Sequence, residues 1–156
     1  MVRAMGVDDG FPNKSIDSII YQGRWFDAGE NEIVVGWSTA YEMGISTMDA
    51  LNPVVVYVPR AGKGQVLSEK DLVNSRRVLS SGVFSLNEEL NKNLVFLDLN
   101  LARELFSLEN QAVGSIDIYS KVRSTKKIES FFGSDYEIEN RIQQNATIYK
   151  LSLIHI

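Results

Sequence analysis

Carboxylates are the commonest groups in this chain that could do chemistry, and four close pairs stand out: Asp8/Asp9, Glu30/Glu32, Glu88/Glu89 and Glu137/Glu139. Two carboxylates on opposite sides of a bond can divide acid and nucleophile duties, and several together can hold a cation. Here the partners are one or two residues apart, and on an extended segment i and i+2 share a face because of the strand repeat alone. A solvated acidic face is the expectation for all four. Asp8-Asp9-Gly10 reads as a tight turn, since a calcium loop needs oxygen ligands at further spaced positions.

Gly36-Trp37-Ser38-Thr39-Ala40 falls between a predicted strand and a predicted helix, the setting of a hydrolase nucleophile elbow. Ala40 stands where the second glycine belongs, and helix capping explains Ser38 or Thr39 without catalysis. A serine nucleophile also needs a base within reach, and the one imidazole, His155, follows the last recognisable element. A small serine hydrolase built on Ser38 is the alternative of a different class. Arg60-Ala61-Gly62-Lys63-Gly64 resembles a phosphate loop only superficially. Position 57 is Tyr where a glycine is required and position 64 is Gly where Ser or Thr would bind magnesium. The absence of Cys removes disulfides, thiolate zinc, iron–sulfur clusters and a cysteine nucleophile. The expectation is no catalytic, cofactor-binding or metal-binding residue, and no cofactor.

The chain has 156 residues, with 16 Lys+Arg against 20 Asp+Glu, a net charge of −4 and a pI near 5.0. Phosphate neutralisation needs clustered cations, so nucleic acid is not an expected partner. No apolar run approaches the ~20 residues that cross a bilayer, and Val2–Asp9 lacks the form of a signal peptide. A chain of this length supports one core.

Short elements alternate irregularly. Val2–Val7 reads as a buried strand, Ile16–Tyr21 as a helical turn or two ending at Gly23, and Glu32–Gly36 as a strand. Ser38 or Thr39 caps a helix whose inner face is Ala40, Met43 and Tyr41, stopped by Gly44. Pro53–Val58 is a strand and Arg60–Asn74 a polar interruption. Ser75–Ser85 is a long strand with a bulge or bend at Gly82, and Asn87–Asn93 a polar loop. Asn93–Leu97 is a strand, and Asn100 caps a helix with Leu101, Leu105 and Leu108 on one face. Val113–Tyr119 alternates as a half-exposed strand does. Ser124/Thr125 opens a helix through Ile128, Phe131 and Phe132 to Gly133, and Tyr136–Ile142 follows. High strand content with irregular alternation predicts an α+β fold with a mixed sheet and short helices.

The order of these pieces carries a resemblance. Ala4-Met5-Gly6-Val7-Asp8, Gly23-Arg24-Trp25-Phe26, and Glu32-Ile33-Val34-Val35-Gly36 with Ala40-Tyr41-Glu42-Met43-Gly44-Ile45 come first. Val54–Pro59, Arg77–Phe84, Leu94–Leu97 with Leu101–Phe106, and Val113–Tyr119 complete the series. Collinear, they resemble the periplasmic core domain of ABC transporter permeases of the LolC/LolE, FtsX and MacB superfamily, over roughly residues 3–150. The resemblance implies a Porter-like α/β unit with a β-rich Sabre-like lobe. It also implies a domain at residues 1–150 that lacks the family's opening strand–helix–strand, and a tail at 151–156 that is vector-derived.

A non-enzymatic role on the periplasmic side of the bacterial inner membrane is likewise implied. ATP hydrolysis belongs to a separate cytoplasmic ATPase, and the domain passes its motion to lipoprotein release. MacB-type export and FtsX-type activation of cell-wall hydrolases are the alternatives within the superfamily. The implied partners are a second permease subunit and a periplasmic chaperone or lipoprotein substrate. By position, Arg60–Arg76 corresponds to the hairpin hook with which the lipoprotein-releasing type holds its chaperone. Lys63, Gln65, Val66, Leu67, Lys70 and Leu72 are its candidate partner-binding residues, since apolar side chains rimmed by charge suit a docking surface.

Overall fold

The computed structural model of the chain describes residues 2–11, 16–60, 73–116, 118, 125–132 and 137–139. The chain divides into two compact units, Met1–Val113 and Gly114–Ile156. The first contains strands β1 (Arg3–Val7), β2 (Ile20–Gly23), β3 (Glu32–Gly36), β4 (Val54–Pro59), β5 (Val73–Phe84) and β6 (Leu94–Asp98). It also contains helices α1 (Trp37–Met43), α2 (Glu88–Asn93) and α3 (Leu99–Phe106). In the second, the described helix is α4 (Thr125–Phe132), where the rings of Phe131 and Phe132 meet edge-on at 5.2 Å.

The fold is α+β with a mixed six-stranded sheet. Its order is β1-β6-β3-β5-β2, and β4 pairs with β5 off that path. β1 runs parallel to β6 and β3 parallel to β5, whereas β6–β3, β5–β2 and β4–β5 are antiparallel. β3 lies at the centre, and its five residues are all buried. Their alternation feeds two cores, one on each face of the sheet, where the chain length alone predicts one. Ile33 and Val35 join Val58, Val78, Val83, Leu97, Leu101 and Leu105 on the side covered by α3 and the β4–β5 ribbon. Val34 joins Val7, Phe26, Phe84, Leu94 and Phe96 on the other side. Such two-sided burial of a β-branched run contributes roughly 1.5–3 kcal/mol per large side chain.

A bulge reconciles β5 with both cores. The pairing with β3 runs Ile33↔Ser80 and then Val34↔Gly82, so Ser81 is the extra residue. That skip puts Val78 and Val83, five positions apart, in the same core, which a regular period of two would forbid. A bulge or bend was predicted at the neighbouring Gly82. Glycine is required there, because a Cβ on Gly82 would run into the backbone carbonyl of Arg24.

Several expectations need correction. Ile16–Tyr21 is a single 3-10 turn, Ile16–Ser18, followed directly by strand β2. β1 is an edge strand with only Val7 buried, not a buried strand. Asn87–Asn93 is not a loop. Asn87 caps α2 by accepting from the Leu90 N–H at 2.9 Å, and Glu88 and Glu89 occupy its first turn. The Lys92 ammonium bonds Glu88 at 2.8 Å and holds its carboxyl below the usual range.

Asp98, not Asn100, caps α3. Its Oδ1 accepts from the N–H groups of Asn100 and Leu101 at 2.8 and 3.2 Å. Leu101 and Leu105 are buried as expected, while Leu108 lies past the helix end and is half exposed. Val113–Ile116 and Ile118 form no strand among the described residues. Val113, Ile116 and Ile118 are all exposed, so their alternation separates no buried face from an exposed one. Gly133, Tyr136 and residues 140–142 lie outside the described residues, and 137–139 form no strand or helix.

Candidate functional site

The segment proposed for docking joins two paired strands. β4 and β5 are in register from Val54↔Val78 to Pro59↔Val73, so residues 60–72 form the connection of an antiparallel hairpin. Lys63, Gln65, Val66, Leu67, Lys70 and Leu72 lie outside the described residues. The base of the hairpin is described and is held by side-chain bonds. Arg60 Nε donates to Asn74 Oδ1 at 2.5 Å, and Asn74 Nδ2 donates to the Leu105 carbonyl at 2.7 Å and to Ser107 Oγ at 2.9 Å. Arg76 pairs with Glu104 of α3 at 3.1 Å. Beneath this polar clamp, Val58 and Val78 are buried against α3. The opposite face of the ribbon presents Val55, Tyr57 and Arg77 to solvent.

Ser38 sits within the first turn of α1 and caps nothing. The N-cap is Gly36, and no side chain caps the helix. Thr39 is buried and points away from the helix axis to α2, its hydroxyl facing the carbonyls of Asn91 and Lys92 at 3.2 and 3.0 Å. Gly36 has its own reason to be glycine, since a Cβ would meet the Asn91 backbone. Of the expected inner face only Ala40 is buried; Tyr41 and Met43 are exposed, and Tyr41 stacks on Trp37 at 5.7 Å. Gly44 closes the helix with φ +64°, as its sequence position predicted. His155 lies outside the described residues.

The acidic pairs separate into two kinds. Glu30, Glu88, Glu89, Glu137 and Glu139 are exposed, as a solvated face requires. Glu32 is the exception. It is buried at the start of β3, where its carboxylate takes Arg24 Nη2 at 2.8 Å and the Asp27 N–H at 3.1 Å. Arg24 also reaches Asp27 at 3.0 Å and the Trp25 carbonyl at 2.8 Å. The 24–32 loop is thereby tied to β3, and Asp98 Oδ2 accepts from Gly29 at 3.4 Å at its far end.

The Asp8-Asp9-Gly10 turn borders two small clefts at the carboxyl ends of the parallel strands β1 and β6, and that loop borders the second of them. One, of about 310 Å³, is lined by the turn, Asp98, Leu99, Asn100 and Arg103. The other, of about 190 Å³, lies between the turn and Phe11, Trp25, Phe26, Asp27 and Ala28. Asp8 makes the predicted turn, its Oδ1 accepting from Gly10 and its carbonyl from Phe11. The meeting of Phe11 and Trp25 over Phe96 depends on which strands pair, and no local pattern signals it. Among the described residues, no three His, Cys, Asp or Glu are grouped to share a metal ion, and no helix is long and apolar enough to cross a membrane. No protein-family model matches the chain, and a search of curated proteins finds no match.

Proposed function

We propose that this chain is a non-catalytic extracytoplasmic domain of an ABC transporter permease of the LolC/LolE–FtsX–MacB kind, on the periplasmic side of a bacterial inner membrane. It passes ATP-driven movement of its permease to lipoprotein release, and the 60–72 connection docks a periplasmic chaperone through Lys63, Gln65, Val66, Leu67, Lys70 and Leu72. The observation that carries the reading is the collinear series of motifs, from Gly6-Val7-Asp8 to Leu101–Phe106. The long strand β5 suits the mechanical part. It is continuous from the clamped ribbon into the middle of a sheet packed on both sides, so a displacement at the hairpin base reaches the core without passing through a loop.

Two measurements test it. The gene that encodes these residues should also encode apolar segments of about 20 residues flanking them. A reading frame without them overturns the assignment. Deleting Gly62–Asp71 should abolish capture of a periplasmic lipoprotein chaperone and leave the circular dichroism unchanged, because the clamp of Arg60, Asn74 and Ser107 stays in place. Undiminished capture moves the docking site off the hairpin.

A further inference from the structure

We infer that the smaller cleft beside the Asp8-Asp9-Gly10 turn receives a lysine or arginine side chain of a partner polypeptide, an assignment independent of the permease reading. Its floor is aromatic and already assembled. Trp25 lies 4.9 Å from Phe26, 5.2 Å from Phe96 and 6.2 Å from Phe11, centroid to centroid, so the rings hold one another in place. Its rim is acidic, formed by Asp8, Asp9 and Asp27. Asp8 is occupied by the Gly10 N–H, and Asp27 shares Arg24 with the buried Glu32. Asp9 is exposed and has no hydrogen bond or ion pair among the described residues. Among the described residues the rim carries three carboxylates, and the nearest guanidinium, Arg24, is shared between Asp27 and Glu32, so the rim is negative.

A long cationic side chain fits both parts at once. Its methylene stem covers apolar surface while its head stays at the wet, charged edge. At about 190 Å³ the cleft is smaller than the ~300–1,000 Å³ of ordinary small-molecule sites, which favours a single side chain over a whole ligand. A bare divalent cation would leave the aromatic floor unused, and these carboxylates are not grouped for one.

The test uses the ¹⁵N-labelled chain and three capped tripeptides, Gly-Lys-Gly, Gly-Arg-Gly and Gly-norleucine-Gly. The Lys and Arg peptides should shift the amides of Asp9 and Phe11 and the Trp25 indole N–H saturably. The norleucine peptide, which keeps the stem and loses the charge, should bind about tenfold more weakly. Asp9→Asn, a surface change that spares the fold, should weaken the Lys peptide about threefold, the scale of an exposed ion pair. Equal binding of Lys and norleucine peptides overturns the proposal in favour of a plain apolar groove. The same shifts produced by Ca²⁺ alone overturn it in favour of a cation site.

Discussion

The two halves of β5 are held by different forces. Leu79–Phe84 lies between β3 and β2, and its last five residues are buried. Val73–Val78 pairs with β4 alone, and Ser75, Arg76 and Arg77 are exposed. The inner half is fixed by apolar packing and close backbone approach. The outer half relies on Val58 and Val78 against α3, on the partly buried Val54 and Val56 beside them, and on side-chain bonds from Asn74 and Arg76. A continuous strand can thus carry a stiff end and an adjustable end, because burial is cooperative with the whole core and surface polar contacts are not.

Changes at the inner half should cost the whole domain. Phe84→Ala removes a fully buried ring that meets Phe96 edge-on at 5.2 Å, and should lower unfolding free energy by about 3–5 kcal/mol in urea titration. An effect confined to β2 would break the contrast. Gly82→Ala places a methyl against the Arg24 carbonyl and should cost about 1–3 kcal/mol, read in the same titration.

At the outer half the effects should be smaller and local. Asn74→Ala removes the bonds to Leu105 and Ser107 and should cost about 1 kcal/mol, with faster amide exchange along β4 and little change in β3. Arg76→Gln breaks an exposed ion pair with Glu104, and its expected cost is below about 1 kcal/mol, diminishing further in high salt. If Asn74→Ala destabilises as much as Phe84→Ala, the ribbon belongs to the core and the distinction between the halves fails.

The same contrast explains what could be read from the residues alone. β3, β4 and β6 are runs of β-branched and apolar residues punctuated by Gly36 and Pro53, so local pattern and tertiary placement agree; β5 is half polar, and its strand is marked by Val78, Leu79, Val83 and Phe84 around the bend at Gly82. The helices were harder. The Asn87-Glu88-Glu89 start of α2 carries a cap and an acidic first turn, but without an apolar stripe it resembles a loop. Ser38 and Thr39 look like caps until α2 supplies the carbonyls that Thr39 faces. Glu32 looked solvated because its partner Arg24 lies in a different segment. The aromatic cleft was illegible for a similar reason: Phe11, Trp25 and Phe96 meet only once β6 lies beside β1.

The extra residue at Ser81 makes β5 a strand of two phases. Upstream, Asn74, Arg76 and Val78 face α3; downstream, that side is taken by Val83 and the opposite side by Phe84. The ribbon is therefore not an interchangeable module. Grafted onto another sheet without Ser81, or kept here with one residue deleted between Leu79 and Gly82, it would turn Val78 toward water and present Arg77 to the helix. The count of residues between the clamp at Asn74 and the aromatic anchor at Phe84 is therefore fixed by the phase of the strand, a constraint that the length of the hairpin connection does not share.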